Sequence, residues 1–138
     1  MWYNSIWNSI YNIVNWLVAW TKLQAVYNYD AKSSEVFPYA IITTKDGAED
    51  MLDTASNLMT YNFLVRVVNI NKDVSALEWV MRQLCDDILA ELRKEANETL
   101  SWTVDLFLPS QVTWGWADWS EPTRIFEINI EVQKIFAI

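Results

Sequence analysis

The sequence has no histidine, one cysteine, two glycines and three prolines in 138 residues. Each scarcity excludes chemistry. Without histidine there is no Ser-His-Asp or Cys-His catalysis, no H-E-x-x-H metalloprotease helix and no histidine zinc site. A single thiol, Cys85, forbids an internal disulfide and any all-cysteine metal centre within the chain. Gly47 and Gly115 cannot spell a G-x-G-x-x-G fingerprint, and neither fits a Walker A loop. No S-x-x-K and no G-x-S-x-G occurs, so a serine or threonine nucleophile would lack its base. Positive charge is also thin: ten Lys+Arg stand against 18 Asp+Glu, a net charge of −8. Only Arg93 and Lys94 are adjacent. A chain this acidic, with scattered cations, does not grip nucleic acid, although DNA could slide past it.

Long apolar runs are missing too. The stretch Trp16 to Trp20 falls far short of the roughly 20 residues of a spanning helix. No basic segment precedes the first apolar residues, since the first lysine is Lys22, so no secretory signal is expected. The lone thiol suits a reducing compartment, with Cys85 buried and inert among the apolar positions of a helix. With so little glycine there is no flexible linker, and no repeat or low-complexity tract occurs. The turn-rich gap Asp30 to Glu35 is too short to divide domains. A single domain over residues 1–138 is expected.

What is present is periodicity. Tyr3, Ile6, Trp7, Ile10, Ile13, Val14 and Leu17 recur at helical spacing over residues 3–22, opposite a stripe of Ser5, Asn8, Asn12 and Asn15. The polar stripe holds no Lys or Arg for anionic lipid, so this helix is expected on a sheet and not on a membrane. Leu23 to Tyr29 and Phe37 to Thr44 read as strands, the second with Pro38 at its beginning. Residues 46–56 are polar and hold Gly47, which predicts a loop. Tyr61 to Asn69 alternates, with Tyr61, Phe63, Val65 and Val67 on one face. A second helix starts with Ser75 and Glu78 as an S-x-x-E capping box and runs to about Glu95. Its buried stripe is Leu77, Val80, Met81, Leu84, Ile88, Leu89 and Leu92. Trp102 to Leu108 predicts a strand ended by Pro109, and Val112 to Trp116 a further short one. The last strand, Arg124 to about Phe136, puts Phe126, Ile128, Ile130 and Val132 on one face. The order α-β-β-β-α-β-β predicts an α+β fold, with two amphipathic helices packed on an antiparallel or mixed sheet.

Acids and aromatics are the candidate functional residues. Asp46, Glu49, Asp50 and Asp53 cluster without EF-hand spacing. Asp86 and Asp87 are consecutive on a helix, diverge by about 100° and fall on its polar side. Acid–base catalysis needs two carboxyls converging on one cleft, and neither group promises that. No enzyme activity, cofactor or metal is expected. Trp7, Trp16, Trp20, Trp79 and Trp102 are explained as core or helix packing. Trp114, Trp116 and Trp119 lie in a segment with Gly115, Asp118 and Pro122 that predicts a hairpin or loop. If extended, Trp114 and Trp116 share a face. They form either a contact surface, where tryptophan is a typical hot-spot residue, or a small core under the hairpin.

The order of these motifs resembles the tail terminator proteins (tail completion, or head–tail joining) of long-tailed bacteriophages. The shared order is an N-terminal helix, a short strand with Ala25-Val26-Tyr27 and the strand Phe37-Pro38-Tyr39-Ala40-Ile41-Ile42. It continues with the strand from Asn57 through Tyr61, Phe63, Val65, Arg66 and Val67, and the helix Ser75 to Glu95. A tryptophan-bearing hairpin follows, and then a strand with Arg124, Glu127, Ile128, Ile130 and Val132. The resemblance implies a non-enzymatic virion protein at the tail–head junction, assembled in the host cytoplasm. Family members form a homo-oligomeric ring, usually a hexamer, on the finished tail tube. The ring stops elongation, offers a docking surface to the head-completion or neck protein, and lets DNA pass as cargo through its lumen. A closing ring needs two different patches per subunit. The candidates are the hairpin with Trp114, Trp116 and Trp119, and the segment with Asp46, Glu49 and Asp50. The rivals are another neck or head-completion protein of the same particle and a small protein-binding module. A third is an enzyme working by carboxylates alone, which would lose activity on mutating Asp46 or Asp50.

Overall fold

Strands that alternate at period two need one face covered, and helices with an apolar stripe can supply the cover. The computed structural model describes residues 2–19, 23–27, 36–51, 56–94, 106–118 and 121–137. Its elements are α1 (Trp2–Ala19), β1 (Ala25–Tyr27), β2 (Tyr39–Met51), β3 (Ser56–Ile70), α2 (Val74–Leu92), β4 (Leu106–Asp118) and β5 (Pro122–Ala137). This is the α-β-β-β-α-β-β order expected from the periodicity. The five strands form one mixed sheet in the order β1-β2-β3-β5-β4. β1 runs parallel to β2, and the other pairs are antiparallel.

The core lies between the helices and one sheet face. Ile6, Ile10 and Val14 of α1 and Leu77, Met81, Leu84, Cys85, Ile88 and Leu92 of α2 meet Phe63, Val65 and Val67 of β3. Phe126, Ile128, Ile130 and Val132 of β5 complete that layer at 0% exposure. Each such aliphatic or aromatic side chain contributes roughly 1.5–3 kcal/mol by leaving water. On the opposite face Tyr39, Ile41 and Val68 form a small second cluster with Ala25, Tyr27, Phe37 and Ile125. There Tyr39 meets Tyr27 edge-on, with centroids 6.1 Å apart. Among the described residues no helix packs on the rest of that face, which mixes polar side chains with the exposed Leu106, Leu108 and Ile135.

Four local readings change in the structure. First, residues 46–51 continue β2 instead of forming a loop. Asp46 to Met51 pair with Asn62 to Asn57 of β3, after a register shift between Thr44 and Asp46. Residues 44–49 are exposed, so both faces of this arm are wet and its polar sequence mimics a loop. Tyr61 lies against Gly47, where any Cβ would run into the ring. Second, α2 is capped by Asp73, whose Oδ1 accepts from the Ala76 N–H at 3.1 Å. Ser75 lies inside the helix, and Glu78 is drawn to arginines instead of the helix start. Third, Pro109 does not end a strand. β4 runs through it with a register shift between Pro109 and Gln111, on an edge strand where a missing N–H is tolerated. Fourth, Val80 is 39% exposed and Cys85 takes its place in the buried stripe.

α1 also guards a strand edge. Among the described residues β1 pairs with β2 up to Tyr27↔Ile41. One residue further, the Trp7 indole Nε1 donates to the Ile42 carbonyl at 3.0 Å.

Candidate functional site

Trp114 and Trp116 are two residues apart in extended β4, so both point to the helix-bearing side of the sheet. Trp114 packs on the core, with its ring 5.0 Å from that of Phe126. Trp116 is 49% exposed. Between them lies Arg124, the cross-strand partner of Trp116. Its guanidinium carbon is 4.7 Å from each indole centroid, a double cation–π contact. The expected shared face holds, with Trp114 packed on the core and Trp116 half in solvent.

Arg124 also ties β5 to α2. Its Nε lies 2.8 Å from Glu78 Oε2, without the alignment of a hydrogen bond. The aligned bond runs from Nη2 to Glu78 Oε1 at 3.3 Å. Nη1 donates to the Gly115 carbonyl at 3.2 Å. Glu78 Oε1 further accepts from Arg82 Nε at 3.1 Å. Around this set opens a groove of roughly 660 Å³, with Val74, Ser75 and Trp79 on the α2 wall and Trp116 on the β4 wall. Trp79 is 69% exposed and Trp16 52%, so of the core or helix-packing roles expected for them neither fills a core position. Trp119 lies outside the described residues, as do Trp20, Trp102 and Asp53.

The acidic candidates sit elsewhere. Asp46 and Glu49 are three residues apart in a strand and so face opposite sides of the arm. Asp46 Oδ1 accepts from Asn62 Nδ2 at 2.6 Å, and Glu49 Oε1 from Asn57 Nδ2 at 2.7 Å. Asp50 pairs through its backbone with Leu58; its side chain is outside the described set. The Asp46 and Glu49 carboxylates are therefore used to brace a hairpin and do not converge on a cleft. Among the described residues no group of three or more His, Cys, Asp or Glu side chains is placed to hold a metal ion. Asp86 is exposed, and Asp87 accepts from Gln83 Nε2 at 3.4 Å.

The arm and the groove are at opposite ends of the sheet. Trp116 is aligned with Arg124 on β5, and Met59, the partner of Glu49, with Lys134. From Arg124 to Lys134 the strand covers roughly 33 Å at 3.3 Å per residue. Between them, on the uncovered face, an amide ladder crosses four strands. Asn129 Nδ2 donates to Asn62 Oδ1 at 3.0 Å and to Ser110 Oγ at 2.7 Å, and Asn62 in turn reaches Asp46. Arg66 and Glu127 pair there at 3.5 Å. A smaller pocket of roughly 320 Å³ lies at the β2 edge by Trp7, Thr43, Thr44 and Arg66.

The Cys85 thiol is buried and pushed up to about 11, chiefly by loss of water and then by the Asp86 charge, with Arg93 opposing. It is an inert core side chain, as its place in the helical pattern predicted. Among the described residues no helix is long and apolar enough to cross a membrane.

Sequence reasoning missed Trp79 and Arg124 as parts of a site. Trp79 could have been found on the helical wheel, since it lies about 200° from Leu77. Arg124 had no local signal, because its partners lie on α2 and β4.

No family model matches the chain, and no curated protein matches it. The fold is shared with a solved chain from the virion of a native gene transfer agent particle. The two superpose with a TM-score of 0.60 over 92% of each chain, at 9% identity. At that identity the likeness is one of fold.

Proposed function

We propose that this chain is a structural protein of a virion, without enzymatic activity. Its specific role is a homo-oligomeric ring, hexameric in the resembled family, that ends the tail tube and joins it to the head. The observation that carries the proposal is the fold shared nearly end to end with a chain of a virion particle. The motif order of a tail terminator adds the finer assignment. Two features of the molecule support it. The groove and the acidic arm are chemically different surfaces at opposite ends of one sheet, as a closing head-to-tail contact requires. The sheet face away from the helices presents Asn62, Asn129 and the Arg66–Glu127 pair beside the exposed Leu106, Leu108 and Ile135, and among the described residues it has no surplus of cations to hold a passing DNA. The partners are further copies of the chain, the tail tube protein and a head-completion or neck protein, at the tail–head junction.

Light scattering over a concentration series, with negative-stain images of the chain mixed with tube protein, tests this. Closed rings, or tubes blunted at one end by this chain, are the expected result. A strict monomer that ignores the tube would overturn the ring. Binding to head proteins alone would then make it a neck protein, and a tight ligand in the groove a small binding module.

A further inference from the structure

We propose that the groove between α2 and β4 receives the β2–β3 hairpin of a second copy of this chain. The inference deepens the ring reading and rests on it.

The groove asks for a particular occupant. Trp79 and Trp116, 69% and 49% exposed, make two apolar walls on rigid elements. At its floor Glu78 is shared by Arg82 and Arg124. Two guanidiniums against one carboxylate leave a net charge of +1, inside a chain whose total is −8. The N-terminal end of α2 opens onto the same place, its partial positive charge offset by the Asp73 carboxylate at the cap. The complementary ligand is an apolar knob flanked by carboxylates.

The hairpin is such a ligand. Met51, at the end of β2, is 75% exposed. Lys45, Asp46, Glu49 and Asp50 precede it, three acids against one cation. A methionine thioether packs well on an indole. The arm is also stiff. Tyr61 closes over Gly47, Asn57 holds Glu49, and β3 remains paired to β5 as far as Ser56↔Ala137. Little ordering entropy is lost on docking a preformed arm. From Thr44, beside buried Phe63, to Met51 the arm extends roughly 23 Å at 3.3 Å per residue.

Geometry then decides between self and neighbour. The groove is at the Arg124 end of β5, and Met51 and Asn57 of the hairpin are at its Phe136 end. A braced arm that points away from its own groove can fill only another copy's groove. Each copy gives one hairpin and accepts one, so the contact is heterologous and propagates until it closes.

The test uses the full chain with Trp79→Glu in the groove and, separately, Met51→Glu in the hairpin. Both side chains are largely in solvent, so the fold is retained, as circular dichroism would verify. At a concentration where the wild type is assembled, each variant alone is expected to run as a monomer. The association should weaken by about thirtyfold or more, the loss typical of a hot-spot residue. An equimolar mixture should give a 1:1 dimer and nothing larger, because one intact groove and one intact hairpin make a single contact. Variants that assemble like the wild type, or a mixture that stays monomeric, would overturn this inference and leave the ring standing. A wild type that never gains mass, alone or with tube protein, would overturn both.

Discussion

Glu78 on α2 and Arg124 on β5 meet at 2.8 Å, 46 residues apart in sequence, and hold the start of the helix against the sheet. The pair is mostly out of water, with side-chain exposures of 22% and 13%. Arg124 is stacked by Trp114 and Trp116 at the same time. Its conformation is therefore determined from four sides, and the groove inherits that rigidity.

Replacing Arg124 by Met removes the ion pair, both stacking contacts and the bond to the Gly115 carbonyl. A fully buried pair broken on one side costs about 3–5 kcal/mol. Here Arg82 still neutralises Glu78, so about 2 kcal/mol is expected. Arg124→Lys keeps the charge but loses the planar fork, and should recover only part of the loss. Urea unfolding of the three proteins measures both steps.

The two glycines should respond in opposite ways. At Gly47 an added methyl meets the Tyr61 ring, so Gly47→Ala should destabilise the arm by about 1–3 kcal/mol, as overpacking does. Hydrogen exchange should quicken in residues 46–51 and 57–62 and not in the helices. At Gly115 nothing lies within 4 Å of the added Cβ. Gly115→Ala should be neutral or stabilise by up to about 1 kcal/mol, through the unfolded state.

Trp7→Phe keeps the packing of α1 on the sheet and deletes the bond to the Ile42 carbonyl. The expected loss is about 1 kcal/mol. Paired thermal melts of the two proteins would show it.

Alkaline pH should weaken the fold through Cys85. The folded thiol is raised from an ordinary value of 9.0 to about 11, so the unfolded chain releases its proton first. Stability from this group is intact below about pH 9 and falls as pH rises toward about 11. Tyr39, raised by burial against the opposing charge of Arg66, acts in the same sense. The urea midpoint of Cys85→Ala should fall less steeply over that window than that of the wild type. Thiol reagents should label Cys85 only as fast as the protein opens.

Elements whose apolar faces look inward were legible from order alone. The stripe from Leu77 to Leu92 and the alternation from Phe126 to Val132 each state which side is buried, because helix and strand periods are properties of the backbone. The element order and the two-layer α+β fold follow from them. The polar arm of β2 was not legible. Its pairing comes from β3, and a strand wet on both faces has no alternation to show.

The same division runs through the site. Composition alone removed histidine, disulfide and Walker-type chemistry, since absent side chains cannot be supplied by folding. The periodicity placed Trp114 and Trp116 on one face. Only the tertiary structure decided that Arg124 would lie between them, that Glu78 would leave the helix cap for it, and that Trp79 would face the same groove as Trp116. The Glu78–Arg124 contact joins residues 46 positions apart in the chain, and it exists because packing, not local propensity, sets where a helix meets a sheet.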